Sequence, residues 1–160
     1  MEYATFLVHD HLFGIPVQMV QEIGKPLDVF PIPGHDSRVC GLVNLRGRTA
    51  VALDLGRALL GKDHPSSLGP RCRFIVLETT ENLPAQAKLH GLESHPETLV
   101  LVVDEIQGIV DGDKLEYHPP PAHVSEPHVD GMMRVGDRLM TIVSISRLVA
   151  GLASHKEDHP

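Results

Sequence analysis

The sequence predicts a mostly β chain made of two similar small barrels, and three observations carry that expectation. Apolar runs rich in β-branched residues recur along the 160 residues, separated by Gly, Pro and Asp rather than merged into long helical periodicities. A stretch of the first half returns in the second without a gap: VCGLV at 39–43 aligns with VDGMM at 129–133, an offset of 90 (131 − 41). Along that register Arg48 meets Arg138, Leu53 meets Val143, Leu55 meets Ile145, Arg57 meets Arg147 and Leu59 meets Val149, ending at Gly61 and Gly151. Each copy therefore reads as a strand pair followed by a short helix. Closing such a sheet into a barrel removes the open edges that would otherwise template aggregation.

Taken in order, residues 3–8 form the first strand, and the polar His9-Asp10-His11 turn leads into a second at 12–15. Val17, Val20 and Ile23 recur at every third position, which predicts a helical turn within 17–23. Residues 29–33 are extended, because each proline biases the residue before it towards β. Strands 39–43 and 49–53 flank Asn44-Leu45-Arg46-Gly47-Arg48, whose glycine suits a sharp hairpin turn. Residues 55–60 read as a short helix closed by Gly61, and 62–71 as a polar loop. Further strands follow at 72–77, 99–103, 131–135 and 139–143.

Residues 81–97 are polar and aperiodic, 118–127 carry three consecutive prolines that exclude a central strand, and 154–160 read as a flexible tail. Upstream of the repeat, Val20-Gln21-Glu22-Ile23 is echoed by Val103-Asp104-Glu105-Ile106. The expectation is one domain over 1–153 made of two intertwined barrels, dividing near 71–99.

Composition narrows the function. Net charge is −7 with no basic run, which disfavours a nucleic-acid partner. Residues 1–5 lack the basic-then-apolar layout of a secretory signal, and no apolar run approaches the roughly 20 residues that cross a bilayer, so a cytoplasmic protein without membrane insertion is expected. Cys40 and Cys72 sit in apolar runs and read as buried free thiols.

Chemistry is hard to find. There is no Gly-x-Ser-x-Gly elbow, no His-Glu-x-x-His helix, no P-loop and no dinucleotide fingerprint. Asp104 and Glu105 are adjacent, so on a strand they point to opposite faces; a turn role suits Asp104. The eleven histidines include His9 and His11, which would share a face of a strand, and His118, His123 and His128 around the prolines, but none has zinc spacing. The expectation is no catalytic residue, no metal and no cofactor. A histidine-rich barrel binding a metal or small ligand is the alternative, and a nucleophilic Cys40 a more distant one.

These residues resemble the CheW-like coupling proteins of bacterial chemosensory arrays. Phe13-Gly14-Ile15 with Val17 and Val20-Gln21-Glu22-Ile23 are similar to the family's first signature, and Gly41-x-x-Asn44-Leu45-Arg46-Gly47 followed by Val51 and Asp54-Leu55 to its most specific one. Val102-Val103-Asp104 with Ile106, then Gly131, Gly136-Asp137-Arg138, Ile142-Val143 and the helix at Leu148 follow in the family's order, over about residues 3–152. The resemblance implies two five-stranded SH3-like barrels acting as a non-enzymatic adaptor. One surface would bind the regulatory domain of a CheA-type histidine kinase, another the cytoplasmic tip of a chemoreceptor. It places Val20 and Glu22 where the receptor-facing groove begins, Ile109 as the second barrel's contribution, and Asn44, Arg46 and Gly47 in the turn whose arginine affects coupling. Three departures stand out: the connection after Thr80 is long, position 100 is Val where glycine is common, and Pro16 interrupts the second strand.

Overall fold

The strands that read as unbroken apolar runs, LVLVV at Leu99–Val103 and EYATFLV at Glu2–Val8, are buried on both faces and occupy central places in two sheets. Strands that alternate, such as Glu105–Asp111, lie at edges. A computed structural model describes residues 1–34, 36–120 and 128–157, with side chains of the last helix described up to Leu152.

In chain order the strands are β1 (Glu2–Val8), β2 (His11–Pro16), β3 (Val20–Gly24), β4 (Val39–Leu45), β5 (Arg48–Asp54), β6 (Arg73–Leu77), β7 (Leu99–Val103), β8 (Glu105–Asp111), β9 (Tyr117–His118), β10 (Val129–Val135) and β11 (Arg138–Val143). The helices are α1 (Leu55–Leu60), α2 (Ala85–Leu89) and α3 (Ile145–Glu157), with 3-10 turns at Val17–Met19 and Gly112–Lys114. One sheet runs β3-β6-β7-β5-β4, the other β8-β1-β2-β11-β10-β9. The fold is mostly β in two similar units, as the sequence predicts; β9, two residues long, makes the second sheet six-stranded.

The repeat has a precise structural counterpart. Hairpin β4–β5 and hairpin β10–β11 share one register, each with a bulge one residue before a glycine, at Cys40 and at Asp130. Gly41 and Gly131 take φ of +147° and +150°. A Cβ at Gly41 would stand 2.3 Å from the Phe30 carbonyl oxygen, and one at Gly131 2.4 Å from the Tyr117 ring. These gaps let a further segment cover each hairpin's outer edge: Phe30 exchanges two backbone hydrogen bonds with Leu42 (2.8 and 2.9 Å), and β9 pairs with β10.

Completion of the two sheets differs from a simple halving of the chain. β6 and β7 complete the first, β7 lying parallel to β5, whereas the N-terminal β1 and β2 complete the second, β2 lying parallel to β11. Sheet membership changes at residues 16–20 and again at Asp104, while the sequence places the division near 71–99. Ladder register also corrects the upstream echo. Val76 pairs with Val100 as Thr5 pairs with Gly14, and Glu22 lies opposite Val76 as Gly108 lies opposite Thr5. Residues 20–23 therefore correspond to 106–109, not to 103–106, with Gln21 and Gln107 in matching bulges. Local identity misled because a strand's place is set by its partners.

Strand alternation distributes the core into three clusters. One face of each sheet fills its own unit: Val43, Ala50, Phe74, Val76, Val100 and Val102 in the first, Tyr3, Leu12, Met133, Met140 and Ile142 in the second. The opposite faces, with Phe6, Phe13, Ile15, Leu53, Ile75, Leu77 and Leu101, meet between the units in a larger shared core. α1 and α3 contribute Leu55, Ile145 and Leu148 to it.

Three local expectations are revised. Residues 81–97 hold α2, whose Ala87 lies in the shared core with the preceding Leu83; a five-residue helix is too short to show a period. The helical turn expected within 17–23 is present at Val17–Met19, and Val20–Gly24 then joins β6. Pro16 closes β2 at its end rather than interrupting it. α3 continues to Glu157, beyond the start of the expected tail, and residues 121–127 and 158–160 lie outside the described residues.

Candidate functional site

The β4–β5 connection is a two-residue turn in which both central residues are left-handed, Arg46 at φ +51° and Gly47 at +86°. Glycine adopts this freely; arginine does not, so the turn needs support. Asn44 supplies it, its side-chain Oδ1 accepting the Gly47 N–H at 2.9 Å. The strained turn lifts the Arg46 side chain off the sheet and towards β3, where its Nη2 lies 2.7 Å from Glu22 Oε2. Both partners are substantially exposed, at 76% and 38%, so the pair adds well under about 1 kcal/mol to stability. Its effect is to hold two charges in a fixed place on the surface.

Four of the six sequence-derived positions, Glu22, Asn44, Arg46 and Gly47, thus form one cluster. Val20 begins β3 beside them but is half-buried and packs against the shared core. Ile109 lies on β8 in the other sheet, opposite Ala4, and is 60% exposed. Its counterpart under the ladder register is Ile23, also exposed, which sequence reading passed over; the corrected repeat is the signal that finds it.

A groove of about 610 Å³ adjoins the cluster. Gln21, Glu22, Arg46, Arg48 and Thr49 line one side, and Thr79, Pro96, Glu97 and Thr98 from the β6–β7 connection line the other. The connection is rooted: Glu78 N–H donates to the Met19 carbonyl (2.8 Å), Thr80 N–H to the His95 carbonyl (3.0 Å), and Ser94 N–H to Thr80 Oγ1 (3.1 Å).

The residues weighed for chemistry have structural roles. Cys40 and Cys72 are free; burial, with a further contribution from the Asp54 carboxylate, pushes the Cys40 thiol up to about 12. Such a thiol is almost wholly protonated near neutrality. Native Cys40 is therefore expected to react with iodoacetamide at pH 7.5 at least ~10-fold more slowly than free cysteine, followed by mass spectrometry. Rapid, selective labelling of the folded chain would restore the nucleophile reading.

His9 and His11 do not share a strand face: His9 occupies the turn at φ +47°. Its ring lies 5.9 Å from that of His64, with Nε2 2.7 Å from the Pro65 carbonyl oxygen. Among the described residues no group of three or more His, Cys, Asp or Glu is placed to hold a metal ion. Asp104 accepts the His9 N–H at 2.7 Å, securing the β1–β2 turn. No helix among the described residues is long and apolar enough to cross a membrane.

Comparison with known proteins agrees with this geometry. The family model described as the CheW-like domain matches residues 2–153. A curated relative, the chemotaxis protein CheW of Treponema pallidum, is 23% identical over 150 residues, covering 92% of this chain and 81% of the relative. The crystal structure of the scaffolding protein TtCheW from Thermoanaerobacter tengcongensis superimposes with a TM-score of 0.67 at 20% identity, covering 89% of this chain and 87% of that one. With its two barrel-like units, its Asn-x-Arg-Gly turn and a match over nearly its whole length, the chain belongs to the CheW-like domain family.

Proposed function

We propose that the protein is a non-catalytic scaffold of bacterial chemosensory signalling that couples the cytoplasmic tip of a chemoreceptor to the regulatory domain of a CheA-type histidine kinase. It would act in the cytoplasm, recruited to receptor arrays. The observation that carries the reading is the Glu22–Arg46 pair, a fixed charge couple raised on a strained turn, where stability gains little from it. Family membership supports the same role, and the relatives named above are called a chemotaxis protein and a scaffolding protein. A receptor helix would lay an apolar stripe beside such a rim, with the charges setting register and specificity.

Titration of the purified chain with a receptor-tip fragment and with the kinase regulatory domain from the same genome tests this. Saturable binding is expected, with Arg46→Ala weakening the receptor arm about tenfold while thermal unfolding hardly moves. Ile109→Asp is the cleaner probe of the apolar contribution, since Val20 packs against the core and its substitution would perturb the fold. Absence of binding to either partner would defeat the proposal.

A further inference from the structure

The two units are alike enough for their differences to be informative, and the largest lies beside the groove. Arg48 and Arg138 are equivalent, each opening the second strand of its hairpin opposite Leu45 and Val135. In the second unit the neighbouring strands β1 and β2 are joined by His9-Asp10 alone, and Arg138 Nη2 donates to the Asp10 carbonyl at 2.6 Å. The short turn closes over that arginine. In the first unit the equivalent strands β6 and β7 are joined instead by the much longer run of residues 78–98. The arginine is kept and its partner is gone: among the described residues the Arg48 guanidinium has no hydrogen-bond or ion-pair partner, and it lines the groove instead.

We propose that Arg48 is a partner-binding residue, exposed by the long β6–β7 connection, which takes a carboxylate on the helical tip of the receptor. The inference rests on the adaptor role proposed above and adds to it a specificity contact. Arg46 is occupied by Glu22 at 2.7 Å, so within the cluster Arg48 is the guanidinium open to a new acid. A planar fork of donors suits a carboxylate in bidentate geometry. On the opposite wall Glu97 engages His95 only through its backbone, leaving its carboxylate for a basic residue of the same helix. The groove therefore selects a segment bearing both signs of charge, and it does so through a connection that this chain has in one unit and lacks in the other.

The experiment is a titration of the full chain with a soluble receptor-tip fragment from the same genome, comparing wild type, Arg46→Ala, Arg48→Glu and Glu97→Lys. Arg48→Glu is expected to weaken tip binding at least tenfold, with unchanged thermal unfolding and unchanged affinity for the kinase domain. Changing one acidic residue of the tip to lysine should then recover binding to Arg48→Glu. If Arg48→Glu and Glu97→Lys bind the tip as wild type does while Arg46→Ala weakens it, the inference fails and the adaptor role stands. Loss of kinase-domain binding with tip binding intact would overturn the receptor assignment. If wild type binds no tip, both proposals fall.

Discussion

Met140→Ala is expected to lower stability by about 3 kcal/mol, and Gly14→Val by about 2 kcal/mol, yet the double variant should lose much less than their sum. Met140 is fully buried inside the second unit, and a Cβ on Gly14 would stand 2.6 Å from its Sδ. Truncating Met140 leaves a cavity; enlarging Gly14 alone drives a side chain into the sulfur. The first unit already holds the alternative solution. Parallel pairing sets Ile142 opposite Gly14 as it sets Ala52 opposite Val100, so Gly14 and Met140 correspond to Val100 and Ala50. Large and small have changed places at one spot, and both Val100 and Ala50 are buried. Denaturant unfolding of the two single variants and the double gives the coupling energy. A coupling of at least ~1.5 kcal/mol in favour of the double is expected, and additive losses would show that the unit interiors do not share this packing.

Asp54→Ala should cost about 3 kcal/mol, lowering the unfolding midpoint by roughly 6–12 °C. Asp54 is buried and caps α1, its Oδ1 accepting the N–H of Ser67 at 3.0 Å and that of Arg57 at 3.4 Å, while Ser66 Oγ donates to Oδ2. Alanine would leave the buried Ser67 amide unpaired and release the polar loop that the carboxylate ties to the helix. Asp54→Ser is the informative companion, because Ser144 occupies the same place before α3 and its Oγ accepts the Arg147 N–H at 3.4 Å. It should restore the cap but not the loop contacts, costing about 1–2 kcal/mol. Hydrogen exchange at Ser67 separates the two effects: faster exchange in both variants is expected, and unchanged protection would locate the loop's anchor elsewhere.

How much of this was legible depended on whether a feature is local. The hairpins at 39–54 and 129–143 with their closing helices were readable at an offset of 90, since turn chemistry and strand period act over a few residues. The use of β1 and β2 to complete the second sheet was not, because the β2–β11 pairing spans nearly the whole chain and leaves no local mark. VQEI against VDEI looked a better echo than IQGI at 106–109, and only the bulged ladders decide for the latter. α2 leaves no mark because five residues are too few to show a helical period. In the candidate site, the motif marks the turn residues Asn44, Arg46 and Gly47, whereas Arg48 enters the sequence reading only as the repeat counterpart of Arg138. Its interest appears only beside Arg138, whose hydrogen bond to Asp10 shows what Arg48 lacks.

The exchange of strands between the two halves also governs how the molecule can be made. Residues 20–103 contain all of the first sheet, so its ladders can close while the rest of the chain is still on the ribosome. The second sheet needs residues from 2–16 and from 105–143 together, so its long loop must be closed late and against a larger entropy. Until then β1 and β2 wait beside a finished neighbour whose exposed face they will cover. For the same reason no single cut separates the units into modules, and a gene fusion could borrow the second unit only with the first carried between its strands.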